Sequence, residues 1–591
     1  MIKGGEFLIK DQKSKDIFIP EEFTEEQKLM ASSTNDFVEK ELNPYREKFE
    51  NKNYNLTEAC MKKAGELGLL GISIPEKYGG MGMPFNTSVL ICDKISGANG
   101  SFSTAFGAHT GIGTLPILLY GNEAQKEYFL PKLASGKWMG CYCLTEPGAG
   151  SDANAGKTKA VLSKDGKYYI ITGQKMWISN AGFADVFIVF AKIEDDKNIT
   201  GFILQKGMKG ITLGDEEHKL GLNSSSTRQV FLNKVSVPIE NMLGGRGNGF
   251  KIAMNALNVG RIKLSAAVLD ACRRAIELSI NYSNERIQFG KPISYFGAIK
   301  YKLADMAVKT YTVESATYRA SNEIEKNIKR LEQEKLNHQE AHLKGVEEYA
   351  IECSIVKVLG SETIQFCSDE GIQIFGGMGY SKDVPMEAAY RDARIARIYE
   401  GTNEINRMLI IGMILKKAIK GELDIMSSAM KVASELLSIP TFDSPNKNNL
   451  LSLEKKHLKK LKKAILMTAG KAAQHFALEI EKEQEILINL ANMVIDVYAC
   501  EAAILRAEKL ACKNGEKATK YQINMSKLSL YYAIKNCQKE GEEAILSFTK
   551  GDEQRMLLMG LKRFTKGYTI NPKNLRRDIA NKLIEENRFC F

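Results

Sequence analysis

Helical spacing at both ends of the chain, short apolar runs between them and a length too great for one core predict an α+β protein, mainly α. At about 150 residues per domain, 591 residues divide into three or four units. The expected order is a lead-in over 1–24, a helical N-terminal domain over 25–137 and a middle β-barrel-like domain over 138–249. A helical bundle over 250–422, a linker over 423–450 and an extra C-terminal helical domain over 451–591 complete it.

Each unit has its own signals. Residues up to Phe23 read as a loose lead-in. Thr24 to Gln27 form a capping box that opens a helix, and Leu56-Thr57-Glu58 opens another that ends at Gly68. Pro75, Gly79, Gly80 and Gly82 mark a loop. Ser101 to Tyr120 is apolar and rich in small residues, with Gly107, Gly111 and Gly113, so it either packs closely or leaves room for a ligand. From about Met139 the period shortens, and strand-length runs appear at 168–172, 186–190 and 201–204. Helical spacing returns at Phe250. Ser321 to Glu348 is densely charged, the sign of a solvated connection between helices. Pro440 to Asn449, with two prolines and several asparagines, marks the linker.

The net charge of +11 is spread along the chain, which suits anionic ligands or a membrane surface and gives no nucleic-acid module. Eleven scattered cysteines without a C-x-x-C pair read as free thiols in a reducing compartment. Met1 to Lys15 lacks the character of a signal or transit peptide, and no uninterrupted apolar stretch looks long enough to span a bilayer. A cytoplasmic protein is expected. His338 and His342 stand four apart without a third ligand, so no metal is expected. No Ser-His-Asp or Cys-His arrangement points to hydrolysis, and neither G-x-G-x-x-G nor a P-loop is present.

Chemistry concentrates between Arg391 and Arg407. There an apolar helix (Ile395, Ala396, Ile398, Tyr399) ends in Glu400-Gly401-Thr402. Taken alone, a glutamate at a helix end is more often solvated. In apolar company its pKa rises, which suits a general base for a weakly acidic C–H proton. Thr145 to Asp152 forms a Pro/Gly turn with free amides and hydroxyls at Thr145 and Ser151, suited to a heterocycle or phosphate. Trp177 and Ser179 alternate along a strand and so share one face. Arg286 to Lys291 reads as a phosphate clamp, and Gln373 to Tyr380 brings three glycines that allow close backbone approach.

Together, Thr-Glu-Pro-Gly-Ala-Gly-Ser-Asp (145–152), Met-Trp-Ile-Ser-Asn (176–180), Arg-x-Gln-Phe-Gly (286–290), Gln-Ile-Phe-Gly-Gly-Met-Gly-Tyr (373–380) and Ile-Tyr-Glu-Gly-Thr-Asn (398–403) resemble the acyl-CoA dehydrogenase family. The resemblance covers roughly residues 25–420. It implies FAD as cofactor, held by Tyr142, Thr145, Ser151, Trp177, Ser179, Thr402 and Glu404. Arg286, Gln288, Gln373, Gly376 and Gly377 would reach the FAD of a neighbouring subunit in a homodimer. Ser151, Asn258, Arg261 and Gly401 would bind the acyl-CoA. Glu400 would take the α-proton while the β-hydrogen leaves as hydride to the flavin, and the Glu400 amide with a ribityl hydroxyl would stabilise the thioester oxygen. Electrons would pass to an electron-transfer flavoprotein. Some members carry the base at the position of Gly260; glycine there leaves Glu400 as the candidate.

The Asn-x-Gly-Arg form at 258–261 and the C-terminal extension most resemble the very-long-chain branch, implying a long-chain fatty acyl-CoA substrate. In that branch the extension is tied to membranes. Lys455 to Lys463, with Leu458, Leu461 and Ile465 at helical spacing, reads either as a helix on the inner face of a membrane or as one packed on its own domain. An acyl-CoA oxidase using oxygen and a non-catalytic assembly scaffold are the alternative readings.

Overall fold

A computed structural model describes residues 2–436 and 450–591. It is mainly helical with one central sheet, as expected. The first helical unit contains α1 (Glu25–Phe37), α2 (Arg46–Glu50), α3 (Tyr54–Glu66), α4 (Phe85–Ile95), α5 (Gly100–Gly107), α6 (Leu115–Tyr120) and α7 (Glu123–Ala134). The capping box at α1 forms as read: Gln27 N donates to Thr24 Oγ1, and Thr24 N to Gln27 Oε1. Asn53, rather than Leu56, begins α3, by accepting from Leu56 N.

Eight strands follow: β1 (Gly140–Cys143), β2 (Lys159–Leu162), β3 (Tyr168–Ser179), β4 (Val186–Ile193), β5 (Ile199–Gln205), β6 (Ile211–Glu216), β7 (Thr227–Pro238) and β8 (Met242–Leu243). They form one sheet in the order β6-β7-β3-β2-β4-β5-β8, with β1 beside β4. The pairings of β4 with β1 and with β2 are parallel. Because β4 and β5 are buried on both faces, their sequences are continuous apolar runs rather than alternating ones.

The bundle comprises α8 (Gly249–Ala266), α9 (Leu269–Glu285), α10 (Gly297–Gln333), α11 (His338–Glu348), α12 (Ala350–Phe375), α13 (Pro385–Ala393) and α14 (Asn403–Ile419), with a hairpin of β9 (Ile287–Gln288) and β10 (Lys291–Pro292) before α10. The last unit holds α15 (Ile425–Leu436), α16 (Ser452–Phe476), α17 (Gln484–Asn514), α18 (Lys520–Phe548), α19 (Gly551–Thr565) and α20 (Pro572–Glu586).

Several expectations need correction. The lead-in is a strap: Phe7, Leu8, Ile17 and Ile19 are buried, and Arg506 on α17 grips Glu21 at 2.7 Å. The supposed linker contains α15, while 440–449 lies outside the described residues. The charged stretch 321–348 is mostly α10 and α11, with Glu323 paired to Arg319 inside the core. The segment α17 is long and apolar enough to cross a bilayer, yet most of it is buried against α10, α16 and α18. On α16, Leu458, Leu461 and Ile465 face the core, so the apolar stripe a membrane would need is already covered. The ion pairs of that helix include Lys455 with Glu508, Lys459 with Asp11, Lys462 with Glu501, Lys463 with Glu435 and Lys471 with Glu553.

Candidate active site

Glu400 does not end a regular helix. A short 3-10 turn, Arg394–Arg397, stops before it, and Glu400 and Gly401 have φ of 59° and 82°. Left-handed backbone at a non-glycine residue costs about 1–3 kcal/mol and persists only where the surroundings enforce it. Three buried side chains do so by gripping the carbonyls of the turn. Arg261 Nε donates to Glu400 O at 3.3 Å. Asn406 Nδ2 donates to Gly401 O at 2.8 Å and Thr402 O at 3.0 Å. Lys357 Nζ donates to Gly401 O at 2.7 Å and Asn403 Oδ1 at 2.8 Å. Asn258 Oδ1 accepts from Arg261 Nη1 at 2.8 Å, and Thr402 caps α14 by accepting from Ile405 N. Glu404, one residue into that helix, is exposed.

The carboxylate of Glu400 lies against Gly260, where a Cβ would stand 2.6 Å from Oε2. Oε2 is buried without a hydrogen-bond partner. Burial pushes the Glu400 pKa up to about 7, while the cations of Arg261 and Lys357 restrain the rise. Burial likewise pushes Lys357 down to about 7 against the pull of Glu400. Tyr142 Oη is a second buried atom without a partner; its pKa is raised by burial and then by Glu400.

A cavity of about 440 Å³ opens beside Glu400, walled by Gly260, Ser179, Gly107 and Gly111 among others. A Cβ at Gly107 or Gly111 would meet nothing within 4 Å, whereas one at Gly113 would strike the Gly140 backbone at 2.8 Å. The small residues of 101–120 therefore do both things: two leave room and one permits close packing.

The 145–152 loop is anchored by a residue that sequence reasoning passed over. Glu146 and Lys175 form a buried pair at 2.6 Å, and Glu146 also accepts from Lys157 N and Thr158 N. Burial raises the Glu146 pKa, but Lys175 and these hydrogen bonds outweigh it and hold the carboxyl below its usual range. Met176 N donates to Thr145 O at 3.0 Å, tying the loop to the strand that carries Trp177. The strand bulges between Lys175 and Ile178, and Trp177 has φ 61°. Simple alternation therefore does not place Trp177 and Ser179 on one face, and the indole is 52% exposed rather than core. Ser151 is exposed, and Gly148 and Gly150 have open space at their Cβ positions.

Arg286, Gln288, Gln373, Gly376 and Gly377 are exposed and do not line the cavity. The structure brings their two loops together instead: Tyr282 stacks on Phe375 with centroids 4.3 Å apart. Phe289 and Tyr380 at the tips are 93% and 90% exposed. His338 pairs with Glu332, and among the described residues no group of three or more His, Cys, Asp or Glu could hold a metal. Lys357 was detectable in principle, as a lone lysine inside the apolar run 355–359.

Two helical units stand before and after the sheet in the chain, and a buried carboxylate faces an apolar cavity. Models of the acyl-CoA dehydrogenase N-terminal, middle and C-terminal domains match residues 24–137, 141–235 and 247–415, and a further C-terminal domain model matches 460–563. The chain is 43% identical to a probable acyl-CoA dehydrogenase of Bacillus subtilis (strain 168), over 99% of this chain and 98% of that one. It is 42% identical to the mitochondrial very long-chain specific acyl-CoA dehydrogenase of Homo sapiens, over 58% of this chain and 51% of the relative. Among solved structures, acyl-CoA dehydrogenase complexed with FAD from Bacillus anthracis matches with TM-score 0.97 and 42% identity, covering 100% of both chains. The chain belongs to the acyl-CoA dehydrogenase family, whose cofactor is FAD.

Proposed function

We propose that the protein dehydrogenates long-chain fatty acyl-CoA to trans-2-enoyl-CoA, with Glu400 as the base. The observation that carries this reading is the Glu400 carboxylate, buried, unpartnered at Oε2, pushed up to about 7 and facing an apolar cavity. A carboxylate so placed accepts the α-proton of a thioester near neutral pH. The Glu400 amide has no acceptor among the described residues, which suits a donor to the thioester oxygen. Arg261, Asn258, Lys357 and Asn406 hold the turn so that carboxylate and amide keep their places.

The residues present fit FAD. Thr145, Ser179 and Trp177 offer hydroxyls and an indole face, and Gly148, Gly150, Gly376 and Gly377 leave backbone open for close approach. When bound, FAD supplies the acceptor for the hydride leaving the β-carbon; α and β C–H bonds break and a C=C bond forms. The exposed, paired loops of Phe289 and Tyr380 support a homodimer in which each copy completes its neighbour's cofactor site. Gly107 and Gly111 leave depth for a long chain. An electron-transfer flavoprotein is the proposed acceptor, and eleven free thiols support a cytoplasmic setting.

Anaerobic titration with palmitoyl-CoA and butyryl-CoA tests this. Palmitoyl-CoA should bleach the flavin better than butyryl-CoA, and Glu400→Gln should slow bleaching by at least about 10²–10⁴-fold. A bound flavin bleached by neither thioester refutes the reading. Peroxide formed stoichiometrically in air would make the protein an oxidase instead.

A further inference from the structure

We propose that Lys263 makes the cavity selective for acyl-CoA thioesters whose chain carries an oxygen acceptor, a terminal carboxylate first. The inference rests on the acyl-CoA reading above and narrows its substrate class.

Five lysines are buried among the described residues: Lys126, Lys175, Lys263, Lys357 and Lys462. Four are held. Lys126 bonds Gln339 at 2.8 Å, Lys175 bonds Glu146 at 2.6 Å, Lys357 bonds Gly401 O at 2.7 Å and Lys462 bonds Glu501 at 2.6 Å. Lys263, 7% exposed, has neither a hydrogen bond nor an ion pair among the described residues. Its Nζ is not among the enclosed polar atoms that lack a partner, so the ammonium keeps access to the cavity its side chain lines, where an unpaired cation in a mostly apolar wall is a ready partner for an oxygen acceptor.

The place of this residue says where the acceptor comes from. Lys263 stands on α8 three residues beyond Gly260, hence on nearly the same face, one turn or about 4.5 Å along the axis. Its side chain forms part of the cavity wall with Cys92 and Phe106. Behind these three lies a recess of about 10 Å³, where Thr114 Oγ1 is buried without a partner. Such a recess has room for about one water, which can accept a hydrogen bond but cannot neutralise the charge. The neutralising group must enter from the main cavity.

The other charged groups of the wall are engaged elsewhere. Glu50 pairs with Arg391 and Arg274 with Asp270, Asp392 accepts from Leu222 N, and Arg46 is partly exposed. Glu400 interacts with Arg261 and Lys357 rather than Lys263. A chain whose α- and β-carbons stand at Glu400 runs along this face of α8, so an oxygen several carbons further on meets the ammonium.

The test uses the holoenzyme and two matched pairs of CoA thioesters: hexadecanedioyl against palmitoyl, and decanedioyl against decanoyl. In at least one pair the wild type should favour the carboxylated member by about tenfold or more in kcat/KM, and Lys263→Met should abolish or reverse that preference. Preference for the unsubstituted chain in both pairs, or a ratio unmoved by Lys263→Met, would each overturn the inference. If neither class bleaches a bound flavin, the acyl-CoA reading falls with it; if only unsubstituted chains do, this inference alone falls.

Discussion

Lys357 serves two ends from one buried position. Its Nζ fixes the Gly401 carbonyl, and its charge restrains the pKa of Glu400. The sign of its removal follows. Glu400 must be ionised to accept a proton, so kcat/KM rises with pH through its pKa of about 7. Without the cation the ionised form is less favoured, the pKa climbs and the acid limb moves to higher pH. We expect Lys357→Met to show that shift in a pH–rate profile and Lys357→Arg to keep the limb; an unmoved limb in the Met variant contradicts the role. Glu400 itself was legible because a glycine follows it inside a long motif. Its left-handed backbone was not, because the grip comes from Arg261, 139 residues away. Gly260 was legible as the absence of a rival base, and the structure adds a steric reason, since a side chain there would occupy the space of the Glu400 carboxylate.

Elements carry the next layer. The 145–152 loop and β3 are locked by the Glu146–Lys175 pair, whose side chains are 7% and 2% exposed. Removing one partner strands the other's charge in the interior, which costs about 3–5 kcal/mol. Lys175→Met should therefore lower Tm and weaken flavin retention on gel filtration, while the double variant with Glu146→Gln recovers part of both. A Lys175→Met protein as stable as wild type would show that the pair contributes nothing net. Amphipathic elements were readable, but their covering was not. For α16 a bilayer and a protein core make the same demand on Leu458, Leu461 and Ile465, and only the fold shows that α17 and its neighbours meet it. Charge density misled for the same reason in α10, where Arg319 and Glu323 satisfy each other inside the bundle.

Across the whole molecule, the order of helical, sheet and helical units could be read from periodicity, whereas the strap could not. Residues 2–22 have no strong period, and their partners lie far along the chain. Gly5 N donates to Glu352, Lys509 Nζ donates to Ile17 O, and Lys459 pairs with Asp11. Phe7 is fully buried against Tyr498 of α17, with ring centroids 4.8 Å apart. Phe7→Ala should cost about 3–5 kcal/mol, seen as a lower Tm by scanning calorimetry. An unchanged Tm would mean that the strap is an ornament on an otherwise self-sufficient body. The strap also sets an order in time. Glu21 and Arg506 are separated by 485 residues, so at about 5–20 residues per second the ribosome delivers the arginine roughly 25–100 s after the glutamate. The strap is made early and seated late, and its closing marks a chain synthesised at least through α17.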